Sequence, residues 1–137
     1  MWKWTAALLL LVIAQPALSA DFVGTVTAVA DGDSFSMNAS GEHIKIRLCG
    51  VDSPERGHPG FGKSAGELAR LIENRQVRCV QVGLRTPCDG RSKSKSRDRY
   101  VAQCFIDKRD VAMEMVCAKA TKDIERYSGG YYASCKR

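Results

Sequence analysis

Apolar and polar residues alternate along several short stretches of this chain, which is the pattern of β-strands with one buried face. The clearest stretch is residues 43–51, where Ile44 and Ile46 fall on one face and Arg47 on the other. Turn sequences rich in Gly, Asp and Ser separate several of these stretches. The pattern predicts five strands, at residues 22–29, 34–38, 43–51, 77–82 and 101–106.

Two other stretches carry apolar residues at helical spacing. The first begins at Ser64, which forms a capping box with Glu67, and it ends near Asn74. Its apolar stripe consists of Ala65, Leu68, Ala69 and Ile72. The second begins at Asp110 as N-cap and buries Val111, Met115 and Val116. This order of elements predicts a mainly β fold with helices, a five-stranded barrel of the OB type with two or three α-helices.

The first twenty residues form a separate segment. Lys3 precedes an apolar run at residues 6–14, and small residues follow at positions 17, 19 and 20. This is the pattern of a secretory signal peptide, and the run is shorter than the roughly 20 residues that span a bilayer. We therefore expect a signal peptide at residues 1–20 and one domain at residues 21–137. The mature domain is expected to be secreted or periplasmic, without membrane attachment.

The charge of the chain is basic, with 21 Lys and Arg against 15 Asp and Glu and a net charge of +6. Residues 1–20 contribute only Lys3 to this total, so the excess belongs to the domain. Five of the cations lie within residues 91–99: Arg91, Lys93, Lys95, Arg97 and Arg99. Such a cluster indicates contact with phosphates, although a solvated hairpin tip has the same composition.

The six cysteines include no C-x-x-C pair, which argues against a zinc ribbon or a thioredoxin-like site. In an oxidising compartment they are expected to pair. If the last two predicted strands form a symmetric antiparallel hairpin, Cys79 lies opposite Cys104. We predict that disulfide, and the other pairings stay open.

Four acidic residues stand at two places that the barrel brings close together. Asp31 and Asp33 lie in the turn between the first two strands, and Asp52 and Glu55 follow the third. These carboxylates would repel one another unless a cation lay among them. Oxygen ligands without His or Cys suit calcium or magnesium better than zinc. Taken alone, each sequence also fits a plain turn.

Three segments carrying these residues resemble the motifs of the staphylococcal nuclease homologues. They read Asp-Gly-Asp-Ser at 31–34, Ile-Arg-Leu-Cys-Gly-Val-Asp-Ser-Pro-Glu at 46–55 and Asp-Arg-Tyr-Val-Ala at 98–102. The resemblance extends over nearly all of the mature chain. It implies an OB-fold nuclease that hydrolyses DNA and RNA phosphodiesters with calcium.

The resemblance also implies a role for each acidic residue of the site. Asp33 and Asp52 would bind Ca²⁺ through their side chains, and Ser53 would bind it through its backbone carbonyl. Glu55 would act as the general base that activates a water molecule. Asp31 would lie near the metal without being a required ligand.

The cationic and aromatic residues of the motifs would handle the phosphate and the nucleotide. Arg47 and Arg99 would bind the phosphate oxygens and stabilise the transition state, for which a guanidinium suits better than an ammonium. Arg97 and Tyr127 would contact the substrate. Asp98, by contrast, adds a negative charge beside the site, where the family carries a glycine.

Three classes of function fit these residues. The first is an exported calcium-dependent nuclease, acting as a monomer on nucleic acid. The second is an inactive OB module that binds nucleic acid, and the third is a disulfide-stabilised extracellular interaction protein. The joint presence of acidic residues and two arginines favours the nuclease, because a binding module has no need of a metal cluster.

Overall fold

The computed structural model describes residues 21–88 and 91–137. The strands are β1 (Asp21–Asp31), β2 (Ser34–Ala39), β3 (Glu42–Leu48), β4 (Val51–Asp52), β5 (Gln76–Gln81), β6 (Lys95–Ser96), β7 (Arg99–Ile106), β8 (Arg109–Asp110) and β9 (Lys122–Asp123). The helices are α1 (Phe61–Ile72), α2 (Val111–Cys117) and α3 (Glu125–Ser128). The predicted signal peptide, residues 1–20, lies outside the described residues. Within them, no helix has the length and apolar character needed to cross a membrane.

Five of these strands close into a mixed barrel. β1, β2 and β3 form an antiparallel meander, β5 pairs with both β1 and β7, and a parallel pairing of β3 with β7 closes the barrel. The inward residues of the strands and one face of α1 and α2 fill its core. They include Val26, Met37, Ile46, Leu48, Leu68, Ile72, Ile106 and Met115. The predicted OB-type barrel with two or three helices is confirmed.

The predicted third strand is interrupted. β3 ends at Leu48, and the backbone turns at Gly50, whose φ of +75° is easily adopted only by glycine. A Cβ at this position would also lie 2.7 Å from the Cβ of Ser128. The chain resumes as β4, which pairs with β9, so Asp52 leaves the barrel and lies against Lys122. A glycine inside a strand pattern is the sequence signal for such a break.

The predicted capping box of α1 is wrong. The helix begins at Phe61 with Gly60 as N-cap, one turn earlier than predicted. Ser64 is therefore a buried residue inside the helix, and its hydroxyl donates to the carbonyl of Ala120 at 2.6 Å. The buried face also differs from prediction, because Leu71 is fully packed whereas Ala65 is only half-buried.

The start of α2 is confirmed, and its N-cap connects three elements. Asp110 accepts a hydrogen bond from the backbone N–H of Met113, from Nε2 of Gln103 in β7 and from the hydroxyl of Tyr132. Tyr132 is completely buried, and burial raises its pKa, so it stays a protonated donor. The C-terminal segment is thus fixed to the barrel by a polar contact.

Tyr132→Phe is expected to lower the free energy of unfolding by about 1–3 kcal/mol, because the half-buried Asp110 carboxylate loses a donor. Tyr131→Phe is the matched control, since the Tyr131 hydroxyl makes no hydrogen bond within the described residues. Urea denaturation of both variants measures the difference. Equal midpoints would show that the contact with Asp110 contributes nothing to stability.

All six cysteines are paired, in the disulfides Cys49–Cys88, Cys79–Cys104 and Cys117–Cys135. The predicted bridge is confirmed: Cys79 and Cys104 are register partners in the antiparallel β5–β7 pair. The first disulfide joins the turn after β3 to the loop that follows β5.

Candidate active site

The turn between β1 and β2 holds Asp33 in place. The backbone N–H of Asp33 donates to Oδ1 of Asp31 at 3.0 Å, which closes the turn. Gly32 lies between them, and a Cβ there would collide with the Ser64 hydroxyl of α1 and lie 2.9 Å from the Cβ of Ser53. The absence of a side chain at Gly32 thus lets the helix and the segment after β4 pack onto this turn.

Asp33 is 4% exposed, and its carboxylate contacts groups from three parts of the chain. Oδ1 accepts from the hydroxyl of Ser34 at 2.9 Å. Oδ2 accepts from the backbone N–H of Ser53 at 2.9 Å and lies 3.3 Å from Nη2 of Arg47. The segments carrying the first two motifs are therefore joined at this carboxylate.

Arg47 is fixed by the turn that follows β3. Its Nη1 donates to the carbonyls of Leu48 and Val51 at 2.6 and 2.8 Å. Its Nη2 lies between two carboxylates, 3.3 Å from Asp33 and 3.4 Å from Asp52. The guanidinium is half-buried and points away from the core, as the strand pattern predicted.

Arg99 reaches the same carboxylate through a hydroxyl. Its Nη1 donates to Oγ of Ser34 at 2.9 Å, and that hydroxyl donates in turn to Asp33. Ser96 on β6 holds the other side of the guanidinium, through its hydroxyl at 3.3 Å and its carbonyl at 3.5 Å. One carboxylate, that of Asp33, therefore orients both arginines.

Sequence reasoning gave Ser34 no role, although this residue joins Asp33 to Arg99. Ser34 is also the register partner of Arg47 across the β2–β3 pair. The available signal was its place as the last residue of the Asp-Gly-Asp-Ser motif. The hydrogen bond depends on β7 lying beside β3, which is a property of the closed barrel.

The carboxylates of the site are crowded. Burial raises the pKa of Asp31, and the neighbouring Asp33 raises it further. Partial burial and Asp33 likewise raise the pKa of Asp52. By their chemistry, carboxylate oxygens suit a hard cation, which would relieve the repulsion between them. Among the described residues, however, no three Asp, Glu, His or Cys side chains stand together as a ready metal site.

Glu55 lies two residues beyond Ser53, on the exposed segment between β4 and α1. Its carbonyl accepts from the backbone N–H of His58 at 3.0 Å. Its carboxylate makes no hydrogen bond or ion pair with any residue that the structure describes. The residue is exposed, and within the described chain its carboxylate is not joined to the Asp33 contacts.

A cleft of about 520 Å³ opens beside Arg47, and its lining is cationic. Both predicted substrate residues, Arg97 and Tyr127, line it. The cations around it are Arg47, Arg91, Lys93, Lys95, Arg97 and Arg126, and no acidic residue of the described chain lines it. Asp98 is outside the lining and pairs with Lys45 at 2.6 Å, so its expected negative charge beside the site is partly neutralised.

Sequence reasoning missed Arg126, which enters the cleft from α3. The backbone N–H of Arg91 donates to the carbonyl of Arg126 at 3.0 Å, and the Ser92 hydroxyl donates to the carbonyl of Tyr127 at 3.1 Å. The basic loop thus lies along α3, a one-turn helix that the sequence pattern did not predict. The only signal for Arg126 was its position next to Tyr127.

The fold and these contacts define a small OB-type barrel with an arginine–carboxylate centre beside a basic cleft. The chain is 33% identical over 112 residues to the probable endonuclease LCL3 of Phaeosphaeria nodorum, covering 74% of this chain and 34% of that protein. It is 32% identical over 76 residues to the micrococcal nuclease of Shigella flexneri, covering 56% and 43%. An uncharacterized endonuclease of Haemophilus influenzae is 28% identical over 95 residues, covering 66% and 46%.

These relatives confirm the resemblance to the staphylococcal nuclease homologues. No family model matches the chain. The chain spans between about a third and a half of the length of the curated relatives it matches.

Proposed function

We propose that the protein is a calcium-dependent nuclease that hydrolyses phosphodiester bonds of DNA and RNA by attack of water. The observation that carries this proposal is the Asp33 carboxylate, which joins Arg47 directly and Arg99 through Ser34. Arg47 also lines a basic cleft, and no acidic residue of the described chain lines that cleft. The three nuclease and endonuclease relatives named above support the same activity.

The two guanidiniums provide what phosphodiester hydrolysis needs most. The substrate is an anion, and its transition state gathers further charge on the phosphoryl oxygens. Arg47 and Arg99 are already oriented by hydrogen bonds, so little reorganisation is needed when a phosphate arrives. A guanidinium also keeps its proton and donates two hydrogen bonds in one plane.

Glu55 is the proposed general base. Its carboxylate is free of protein hydrogen bonds within the described chain and is reached by water, so it accepts a proton from an attacking water molecule. Its place two residues beyond Ser53 keeps it close to the centre in sequence. Because the nucleophile is water, no ribose 2′-hydroxyl is required, and both DNA and RNA are admissible substrates.

Asp33 and Asp52, with the backbone carbonyl of Ser53, are the proposed ligands of Ca²⁺. Burial is the main cause of the raised pKa values of Asp31 and Asp52, but the neighbouring Asp33 carboxylate adds to both. That second effect supports the assignment, since neighbouring carboxylates favour a cation. The bound ion would supply Lewis-acid stabilisation of the phosphate charge. This chain's own residues orient the arginines and accept the proton.

We also propose export to the periplasm or the medium, as a monomer. The pairing of all six cysteines supports an oxidising compartment, and residues 1–20 have the signal-peptide pattern. Arrest of processing by a Leu9→Arg change in the apolar run would test this proposal.

A second candidate is an OB module that binds nucleic acid without cleaving it. The observation in its favour is that the guanidinium of Arg47 already lies between Asp33 and Asp52 and offsets part of their charge. In addition, no group of three metal-ligating side chains stands together among the described residues. Such a module would use the basic cleft alone.

Incubation of the pure protein with plasmid DNA and with RNA, in calcium and then in EGTA, separates the candidates. The nuclease proposal expects cleavage of both in calcium only, and a melting temperature that rises in millimolar calcium as the ion binds the folded state. Tight binding without cleavage under any divalent ion would establish the module. Absence of both binding and cleavage would leave the interaction protein.

A further inference from the structure

Besides Arg47, five cations of the described chain line the cleft, and of these only Arg97 is already predicted from the sequence to contact the substrate. Arg91, Lys93 and Arg126 line the same cleft as Arg47, but the chemistry needs only Arg47 and Arg99. We call these three residues the outer cation group. Lys95 is not included, because it stands on β6, beyond the part of the loop that is bonded to α3, and its ammonium lies close over the ring of Tyr100, 4.5 Å from the ring centre.

The outer cation group is held by the backbone. The backbone N–H of Arg91 donates to the carbonyl of Arg126. The hydroxyl of the next residue, Ser92, donates to the carbonyl of Tyr127 in α3. α3 itself is anchored to the turn after β3, where the N–H of Ile124 donates to the carbonyl of Gly50 at 2.8 Å. The Cys49–Cys88 disulfide joins the same turn to the loop that leads to Arg91. Arg91 and Arg126 therefore stand on a scaffold continuous with that of Arg47, and Lys93 follows two residues after Arg91 in the same loop.

The charge of the outer cation group is uncompensated by the described chain. Arg91, Lys93 and Arg126 form no ion pair there, whereas Arg70 and Arg75, outside the cleft, each pair with a carboxylate. Cations that face one another without a counter-charge repel, and a bound anion relieves that repulsion. All three side chains are exposed, so a ligand can reach them.

The size of the cleft also exceeds what one phosphate requires. At about 520 Å³ it falls in the range of about 300–1,000 Å³ that holds a small-molecule ligand such as a nucleotide. The exposed ring of Tyr127 lies in the lining, with the Arg126 guanidinium 5.7 Å from its centre. A base and a further phosphate can therefore occupy the cleft together.

We propose that the outer cation group binds a phosphate of the nucleic-acid strand other than the one that is cleaved. The preferred substrate is accordingly a polynucleotide strand with at least one phosphate lying along the cleft, and a single phosphodiester is a poor substrate. The expected effect on kcat/KM rests on the proposed nuclease function. The expected effect on the affinity for the strand does not, because it is measured without cleavage.

The test compares two triple variants with the same change of charge. Arg91→Gln/Lys93→Gln/Arg126→Gln removes the outer cation group, and Arg70→Gln/Arg75→Gln/Lys108→Gln removes two arginines and one lysine outside the cleft. Binding of a labelled single-stranded 12-mer is measured by fluorescence anisotropy in EGTA at several salt concentrations. Cleavage is then measured in calcium on the 12-mer and on a dinucleotide.

The first variant is expected to raise Kd for the 12-mer about tenfold more than the control does, since charge-assisted contacts to a phosphate are lost. Its salt dependence is expected to weaken by at least about 0.7 in the slope of log K against log salt, the loss of one phosphate contact on a single strand. Its kcat/KM falls more on the 12-mer than on the dinucleotide.

Equal Kd values and salt slopes for the two variants would overturn the outer subsite. An equal loss of kcat/KM on both substrates would also overturn it, because the group would then act on the cleaved phosphate. If the wild type binds but never cleaves, the nuclease proposal fails while the anisotropy result still decides the subsite. Circular dichroism and melting curves verify that both variants are folded.

Discussion

Glu55→Gln is expected to lower kcat by a factor of about 10² to 10⁴ with little change in substrate binding, because glutamine keeps the size of glutamate but cannot accept the proton of water. The Glu55 carboxylate is exposed and makes no hydrogen bond within the described chain, so the substitution leaves the fold intact. Single-turnover cleavage of a labelled oligonucleotide at saturating enzyme measures the chemical step.

Glu42→Gln is the matched control. Glu42 is exposed at the start of β3, at the other end of that strand from Arg47, and the same charge is removed there. Its single-turnover rate is expected to equal that of the wild type. If Glu55→Gln also cleaves at the wild-type rate, Glu55 has no part in the mechanism and another base must be sought.

Asp33→Asn is expected to reduce cleavage at least about 10²-fold, because both guanidiniums lose the carboxylate that orients them and small displacements are costly in catalysis. The loss of a buried charged acceptor of the Ser34 and Ser53 donors should also lower the free energy of unfolding by about 1–3 kcal/mol. The rise of melting temperature in calcium should also disappear in Asp33→Asn, because a proposed calcium ligand is lost.

Asp98→Asn provides the control for this variant, since Asp98 is exposed and its ion pair with Lys45 is on the surface. It is expected to keep the calcium-dependent rise in melting temperature and the stability of the wild type, as surface pairs contribute little. Thermal melts of both variants with calcium and with EGTA make the comparison. A full calcium shift in Asp33→Asn would remove Asp33 from the metal site.

The barrel strands were predictable from local patterning because an alternating strand needs only one apolar face. Elements that depend on tertiary contacts could not be predicted in this way. Serine is a residue type that often caps the N-terminus of a helix, yet Ser64 lies inside α1. There its hydroxyl donates to the carbonyl of Ala120, which is distant in sequence, so local patterning could not show it. The one-turn helix α3 has too few residues for a periodic signal and owes its place to the contact of Ile124 with Gly50.

The candidate site divides in the same way. The three motifs were enough to select Arg47, Asp33 and Arg99, because their resemblance to the staphylococcal nuclease homologues implies a role for each. No spacing could show that Ser34 connects two of them, since the connection forms only when β7 closes the barrel against β3. The role of Glu55 stays a prediction, because its exposed side chain makes no hydrogen bond or ion pair within the described part of the chain that would assign one.

By itself the sequence determined the class of fold, the basic character of the domain, the Cys79–Cys104 bridge and the residue types that the chemistry requires. These depend on periodicity, composition and register, which are properties of short stretches. The tertiary structure alone decided that one buried carboxylate orients both arginines, that α3 supplies Arg126 and that no acidic residue among those described lines the cleft. Each of these follows from contacts between segments distant in sequence, which exist only once the barrel has closed.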